Sequence, residues 1–151
     1  MRVVIQRVKK ASVTIDEKIS GAIGYGFLVL LGIETADNKE DADWLVNKIV
    51  NQRIFSDEEG KMNLSLKTIE GELLVVSQFT LFAMTKKGNR PSFIRAARPE
   101  QAIPLYNYFL DKCKNELGEC KIQSGIFGAD MNVELINDGP VTITMDTKVK
   151  E

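Results

Sequence analysis

The stretch that most constrains the fold covers residues 73–82, with the sequence Leu-Leu-Val-Val-Ser-Gln-Phe-Thr-Leu-Phe. Four consecutive branched apolar residues are typical of a strand that is covered on both faces. Ser77, Gln78 and Thr80 then place polar groups at the end of the same predicted strand. An unpaired buried polar group costs about 1–3 kcal/mol. These side chains therefore either meet solvent where the strand ends or form the floor of a site, and the run alone leaves both interpretations open.

The rest of the periodicity predicts one α+β domain over residues 1–151. Strands are expected at 2–8, 11–15, 62–66, 122–127, 131–136 and 141–145, besides the run above and one after the glycines at 21–26. Helices are expected from an Asn38 N-cap and from about Glu100 to Gly118, with Pro104 tolerated only in a first turn. About eight short strands would form curled, barrel-like, mostly antiparallel sheets packed with the two helices.

Composition narrows the chemistry. The chain has no histidine and only two cysteines, which excludes Ser-His and Cys-His pairs, His-ligated zinc and Cys-rich zinc sites. Cys113 lies on an apolar helical stripe, which favours a core residue over a nucleophile. We expect no metal and no cofactor, so catalysis would use carboxylates, hydroxyls, lysine, backbone amides or a group on the substrate.

Location and charge suggest a cytoplasmic protein with one basic region. No apolar run approaches the roughly 20 residues that span a bilayer, and the N-terminus enters a strand pattern directly. The net charge is −1, yet residues 79–99 contain no acid. The basic residues of that stretch are Lys86, Lys87, Arg90, Arg95 and Arg98. They form either a solvated face or a surface for a polyanion.

Two further features need an explanation. Arg7 falls on the apolar face of the first strand, where it either snorkels at an edge or binds a specific carbonyl or carboxylate. Residues 137–140, Asn-Asp-Gly-Pro, have the composition of a tight turn between two strands. The Gly139-Pro140 bond could be cis or trans, and an ordinary hairpin turn is the simplest interpretation.

Two segments, Ser-Gln-Phe-Thr-Leu at 77–81 and Asn-Asp-Gly-Pro-Val-Thr at 137–142, resemble the signature motifs of the D-aminoacyl-tRNA deacylases. Further segments resemble that family in the same order, at 5–8, 11–13, 53–57, 61–64, 90–93 and 130–131. The resemblance implies a homodimer that hydrolyses the ester of D-aminoacyl-tRNA and of mischarged glycyl-tRNA, with its site at the interface. This activity is a carboxylic ester hydrolysis that proofreads the chirality of translation.

The resemblance also implies roles for particular residues. Ser77, Gln78, Phe79 and Thr80 would form the wall near the ester. A cis Gly139-Pro140 pair would enter the partner's pocket, hold the amino group and exclude an L side chain, with Arg7 and Asn137 at the same selector. The basic residues between Lys86 and Arg98 would receive acceptor-stem phosphates.

Mechanism and function keep alternatives at this point. If Thr80 were the nucleophile, it would need a general base, and the chain has no histidine to act as one. The favoured scheme is oxyanion stabilisation by Thr80 and backbone amides, with water or the ribose hydroxyl attacking. A non-catalytic, dimeric RNA-binding module on the same scaffold and a hydrolase of small esters or amides are the alternative functions. The basic segment disfavours a small neutral substrate.

Overall fold

The computed structural model describes all residues from Met1 to Glu151. Eight strands and two α-helices follow one another along the chain. They are β1 (Arg2–Ile15), β2 (Lys18–Ile23), β3 (Gly26–Gly32), α1 (Lys39–Asn51), β4 (Phe55–Ser56), β5 (Met62–Leu64), β6 (Glu72–Ser77), α2 (Pro99–Leu117), β7 (Ile122–Ser124) and β8 (Asn132–Asp146). The numbers agree with the prediction, but two of the strands each unite two predicted ones, and the strands at 18–23 and 55–56 were not predicted. Single 3₁₀ turns at Phe79–Phe82 and Glu119–Lys121 precede α2 and β7. No helix is both long enough and apolar enough to cross a membrane.

The central strand β1 is longer than the sequence predicts. Its first half pairs antiparallel with β3 and its second half with β2, while β8 pairs antiparallel with it along nearly its whole length. The predicted strands 2–8 and 11–15 are therefore one element. The two segments look separate in sequence because two exposed residues, Lys9 and Lys10, interrupt the apolar alternation after Val8. The pairing with β8 shifts register around the same residue, and such a bulge lets a strand continue.

The apolar half of the 73–82 run is covered on both faces, as predicted. Leu73 and Val75 belong to a core cluster of 24 buried residues, whereas Leu74 and Val76 belong to a second cluster of 7 on the other face. β6 pairs parallel with β3 on one side and with β7 on the other. The sheet is thus mixed, with antiparallel pairs around β1 and parallel pairs around β6.

The two helices pack on the larger cluster. α1 begins after Asn38, whose side chain accepts hydrogen bonds from two backbone amides of the first turn, so the predicted N-cap is confirmed. α2 begins at Pro99 and ends at Leu117, with the predicted stop, Gly118, as its C-cap. Pro104 lies in the second turn of α2, so its expected confinement to the first turn was wrong. Pro104 and Glu100 are both exposed, and water can therefore solvate the carbonyl that loses its partner.

The sheet curls until its two ends nearly meet. Ser20 Oγ on β2 donates to the Ser124 carbonyl on β7 at 3.5 Å, across the gap between the sheet's first and last strands. The predicted barrel-like α+β fold is confirmed. The sequence pattern predicts a strand that continues to residue 127, but β7 ends at Ser124. The chain after it turns toward the end of β6.

Candidate active site

The predicted strand over residues 73–82 is a strand only in its first half. β6 ends at Ser77, and Phe79–Phe82 form a single 3₁₀ turn, called here the 79–82 turn. The neighbouring strand β3 ends at Gly32, so the chain beyond Ser77 has no ladder to join. The last backbone hydrogen bond between this segment and β3 runs from the Gln78 backbone amide to the Leu31 carbonyl at 2.7 Å. The polar residues of the motif therefore lie at a chain reversal.

A small cleft opens beside this reversal. Its volume is about 250 Å³. One side consists of the end of the 73–82 run and the other of residues that follow β7. The lining residues are Val76, Ser77, Gln78, Phe79, Phe127, Gly128, Ala129, Met131 and Val133. The predicted wall residues Ser77, Gln78 and Phe79 thus share one cavity. Sequence reasoning missed the side from Phe127 to Val133, because apolar residues between two strands look like ordinary core.

Thr80 lies on the same reversal and is exposed to solvent. Its Oγ1 accepts a hydrogen bond from Gln78 Nε2, so the hydroxyl hydrogen of Thr80 is free to donate elsewhere. No carboxylate, lysine or other titratable side chain hydrogen-bonds to this hydroxyl. The geometry supplies a hydrogen-bond donor at position 80 but no general base to activate it as a nucleophile.

Residues 137–140 do not form the predicted hairpin turn. β8 continues through them as one strand, with Val8 opposite Asn137 and Gln6 opposite Thr142. One β1 residue, Arg7, therefore faces four residues of β8, which we call the 138–141 bulge. The Gly139-Pro140 peptide bond is cis, as the resemblance implied, and both residues are exposed. The sequence looks like a turn because the residues that a wide bulge requires are the same turn-forming types.

Arg7 and Asn137 hold this bulge from both sides. Arg7 is only 7% exposed, and it donates from Nε to the Asp138 carbonyl at 3.0 Å and from Nη1 to the Ile54 carbonyl at 2.5 Å. Its Nε also lies 3.2 Å from Asp138 Oδ2. The interpretation in which Arg7 binds a specific carbonyl or carboxylate is therefore correct, and snorkelling at an edge is excluded.

The amide of Asn137 replaces ladder hydrogen bonds across the bulge. Its Oδ1 accepts from the Val141 amide at 2.7 Å, and its Nδ2 donates to Thr142 Oγ1 at 3.1 Å. Tyr25, which the sequence did not single out, adds a hydrogen bond from its hydroxyl to Asp138 Oδ2 at 3.3 Å. Burial, followed by the charge of Asp138, raises the pKa of Tyr25, so its hydroxyl stays protonated as a donor at neutral pH. These contacts present Gly139 and Pro140 outward on a braced segment.

The predicted site residues fall into two groups in one chain. Arg7, Asn137, Gly139 and Pro140 belong to the bulge, and none of them lines the cleft beside Ser77. The two groups are therefore separate features of a single copy.

The basic segment adjoins the wall. Backbone hydrogen bonds in both directions between Met84 and Ser92, at 2.8 and 3.1 Å, close the loop 85–91, called here the basic loop. Phe93 packs edge-on against Phe79, with ring centroids 5.1 Å apart. Lys86, Lys87, Arg90 and Arg98 are exposed and make no ion pair.

Arg95 differs from the other basic residues. Its Nη2 lies 2.7 Å from Oε2 of the buried Glu34, so its charge is already paired within the chain.

Cys113 is fully buried in α2, and burial, with a smaller effect of Glu116, raises the pKa of its thiol to about 12. It is a core residue, as predicted, because a thiol this weakly acidic is not a nucleophile at neutral pH.

Comparison with known proteins agrees with these features. A family model described as D-Tyr-tRNA(Tyr) deacylase matches residues 4–146. The chain is 63% identical to a D-aminoacyl-tRNA deacylase of Flavobacterium psychrophilum over 151 residues, which is all of both chains. It is 65% identical to a protein of the same name from Cytophaga hutchinsonii, again over the full length of both.

Solved structures share the fold. A structure titled c-Myc DNA Unwinding Element Binding Protein superposes with a TM-score of 0.92 at 44% identity, covering 97% of this chain and 98% of that one. A probable eukaryotic D-amino acid tRNA deacylase superposes with a TM-score of 0.80 at 19% identity, covering 95% and 97%. At that identity the second match supports the fold alone. The family model and the full-length relatives together show that the chain belongs to the D-Tyr-tRNA(Tyr) deacylase family.

Proposed function

We propose that this chain hydrolyses the ester bond that joins a D-amino acid, or mischarged glycine, to the terminal ribose of tRNA. The observation that carries the proposal is the combination of a cleft at the end of β6, with Ser77 and Gln78 in its wall, and an exposed, braced Gly139-Pro140 segment, in a chain of this family. The cleft offers a wall for the ester, and the bulge offers main-chain groups for selection. Release of free amino acid from tRNA removes D-residues before they enter translation.

A clamp made of main-chain groups suits an enzyme that distinguishes D- from L-aminoacyl groups. Tyrosyl, aspartyl and phenylalanyl groups share only their backbone atoms and chirality, so an enzyme that accepts several of them must recognise those common atoms. Carbonyl groups of the 138–141 bulge can accept from the substrate's ammonium group. A rigid clamp then leaves room for a hydrogen at the position that an L side chain would occupy. The hydrogen bonds from Arg7 and Asn137 supply the required rigidity.

The complete site needs two copies of the chain in this proposal. The bulge of one copy would enter the cleft of the other, because the two features do not share a cavity within one chain. Exchange around a two-fold axis would give two identical sites per homodimer.

The chemistry proposed for the site involves no covalent intermediate with the protein. Water attacks the ester carbonyl carbon, either directly or after the neighbouring ribose hydroxyl has first taken over the acyl group, and forms a tetrahedral oxyanion. The Thr80 hydroxyl donates to that oxyanion, together with amide N–H groups that have no acceptor within the 79–82 turn. The intermediate collapses by breaking the bond from carbon to ribose oxygen, and the ribose oxygen takes up the proton that the attacking water has lost. The apolar side of the cleft, with Phe127 and Met131, suits the terminal nucleoside.

One assay tests the proposal. The protein is incubated with D-tyrosyl-tRNA, L-tyrosyl-tRNA, glycyl-tRNA and free D-tyrosine ethyl ester, and the released amino acid is measured against buffer alone. We expect rapid loss of the D-tyrosyl and glycyl groups and no acceleration with the L-enantiomer. The variant Ala129→Trp, whose indole would fill the cleft, should release nothing above background, which excludes a contaminating hydrolase.

The other outcomes favour other functions. Tight binding of tRNA without release would support the non-catalytic RNA-binding module. Hydrolysis of the ethyl ester alone would support a small-ester hydrolase. Equal rates with both tRNA enantiomers would contradict the selector role of Gly139 and Pro140 while leaving the hydrolase in place.

A further inference from the structure

The 79–82 turn is too short to hold its own position. It has two internal backbone hydrogen bonds, from Leu81 to the Gln78 carbonyl at 3.2 Å and from Ala83 to the Thr80 carbonyl at 3.0 Å. An isolated turn of this length is unstable in water, because one or two hydrogen bonds do not compensate for the fixed dihedral angles. Contacts from outside must therefore set where Gln78 and Thr80 lie.

Phe82 anchors the end of the turn. Its side chain is fully buried, and two guanidinium groups lie over its ring. The Cζ atom of Arg2 is 4.8 Å and that of Arg95 is 5.6 Å from the ring centroid. Planar guanidinium groups attract aromatic faces, and the attraction grows where water is excluded.

A carboxylate holds each arginine in place. Arg2 Nε lies 2.6 Å from Asp146 Oδ2 at the end of β8, and Arg95 Nη2 lies 2.7 Å from Glu34 Oε2. An ion pair therefore fixes each guanidinium group independently of its contact with Phe82. Arg95 reaches only the ring. Arg2 also donates from Nη1 to the Leu81 carbonyl at 3.1 Å, so it is bonded to the backbone of the turn itself.

We propose that Arg2 is a positioning residue for ester hydrolysis. Its guanidinium, held by Asp146, fixes the 79–82 turn through the Leu81 carbonyl and the Phe82 ring. It thereby holds Gln78 in the wall of the cleft and Thr80, which does not itself line the cleft, beside Gln78. Arg2 acts at the carboxyl end of the turn, whereas the cleft is lined by Gln78 and Phe79 at its start. This inference rests on the proposed deacylation, but the placement of the turn can be measured without it.

The kinetic test compares Arg2→Met, Arg2→Lys and Asp146→Asn with the unmodified protein on D-tyrosyl-tRNA. Misplacement of reacting groups by about 1 Å can cost about a hundredfold in rate, so we expect Arg2→Met to lower kcat by about ten- to a hundredfold with KM nearly unchanged. Arg2→Lys keeps the charge but cannot make both hydrogen bonds, and should restore part of kcat. Asp146→Asn should cause a smaller loss.

A matched control and a second readout separate positioning from general stability. Lys67→Met removes another ion pair, to Glu116 at 3.0 Å, and should leave kcat unchanged. Hydrogen exchange at the Leu81 and Ala83 amides should become faster in Arg2→Met and not in Lys67→Met. If Arg2→Met fails to fold, Arg2→Lys and Asp146→Asn carry both measurements.

Three results would overturn the proposal: an unchanged kcat in a folded Arg2→Met, a raised KM as the only effect, or unchanged exchange at the turn. A raised KM alone would mean that Arg2 binds tRNA directly. If the unmodified protein releases no D-tyrosine, the proposed function fails. The exchange measurement then decides by itself whether Arg2 fixes the turn.

Discussion

The hydroxyl oxygen of Thr80 accepts a hydrogen bond from the side-chain amide (Nε2) of Gln78, which leaves the hydroxyl hydrogen available for a developing oxyanion. We predict that Thr80→Ala lowers kcat on D-tyrosyl-tRNA about tenfold, the equivalent of one hydrogen bond of ~1.4 kcal/mol. Thr80→Ser keeps the donor and should stay close to the unmodified rate. Single-turnover release of D-tyrosine measures both. Complete loss in Thr80→Ala with tRNA binding intact would instead identify Thr80 as a nucleophile.

Single residues show where sequence reasoning succeeds and where it stops. Arg7 is conspicuous in sequence because a charge on an apolar strand face needs a partner, yet that partner, the Asp138 carbonyl, lies 131 positions away. Phe127 has no signal in the sequence, and Met131 is marked only by the resemblance of segment 130–131 to the family, which assigns it no role. An apolar side chain that lines a cleft has the same periodicity as one that fills a core, and only the path of the chain after β7 distinguishes them.

At the scale of elements, the wall depends on how closely the 79–82 turn approaches the end of β3. A Cβ atom added at Gly32 would lie 3.0 Å from the Gln78 carbonyl oxygen, 3.1 Å from Leu81 Cβ and 3.2 Å from a ring carbon of Phe82. All three neighbours belong to the turn or its cap. A side chain at position 32 must therefore displace the segment that carries Thr80 by a few tenths of an ångström.

We predict that Gly32→Ala lowers kcat by about tenfold or more, since small displacements of reacting groups are costly. The matched control is Gly24→Ala, where an added Cβ would meet only Glu72 Oε2 at 3.5 Å, an ordinary contact. Thermal unfolding of both variants distinguishes a displaced turn from a destabilised fold. Equal activity of the two alanine variants in folded protein would show that the turn tolerates the shift.

The basic loop is a second element with a testable role. Lys86, Lys87 and Arg90 are exposed on a loop that is closed by Met84 and Ser92. Neutralising all three to Gln should raise KM for D-tyrosyl-tRNA. It should also reduce the slope of log affinity against log salt by about 2–3, because each phosphate contact releases counterions. kcat should stay unchanged, since none of the three residues lines the cleft.

Lys9, Lys10 and Lys18 offer the control, because they are exposed in the middle of β1 and at the start of β2, outside the basic loop. Their triple replacement by Gln removes the same charge from a different surface. A similar loss of tRNA affinity in both triple variants would indicate a general charge effect and contradict a specific phosphate contact at the basic loop.

Elements were predictable to the extent that their apolar periodicity was unbroken. The helix after Asn38 and the doubly covered half of the 73–82 run followed from local pattern. The long β1 and β8 did not, because polar and turn-forming residues at their bulges interrupt the apolar alternation and make one strand look like two. The sequence predicts a strand where the structure has the 79–82 turn. The residues of the turn do not show that the neighbouring strand β3 ends at Gly32 and leaves them without a pairing partner.

At the scale of the whole molecule, the cleft and the 138–141 bulge are separate in one chain, although the proposed reaction needs both in one site. Its net charge is −1, so the cationic surface is local. The bulge with Gly139 and Pro140 is braced by Arg7, Asn137 and Tyr25, yet it does not line the cleft of its own chain. In the proposed function, the bulge therefore completes the cleft of another copy. The family resemblance predicts this arrangement, whereas no periodicity or spacing within one chain reveals a contact between chains.

Mixed dimers test the exchange directly. Ala129→Trp fills the cleft but keeps the bulge. Gly139→Ala keeps the cleft but alters the bulge, because φ is +141° there and an added Cβ would lie 2.7 Å from a Val141 methyl carbon. Each variant alone should lack selective release of D-tyrosine. Co-expression should restore about one quarter of the unmodified rate, because half of the dimers are mixed and each has one site with both parts intact. If cleft and bulge acted within one chain, no mixed dimer would contain an intact site and no activity would return.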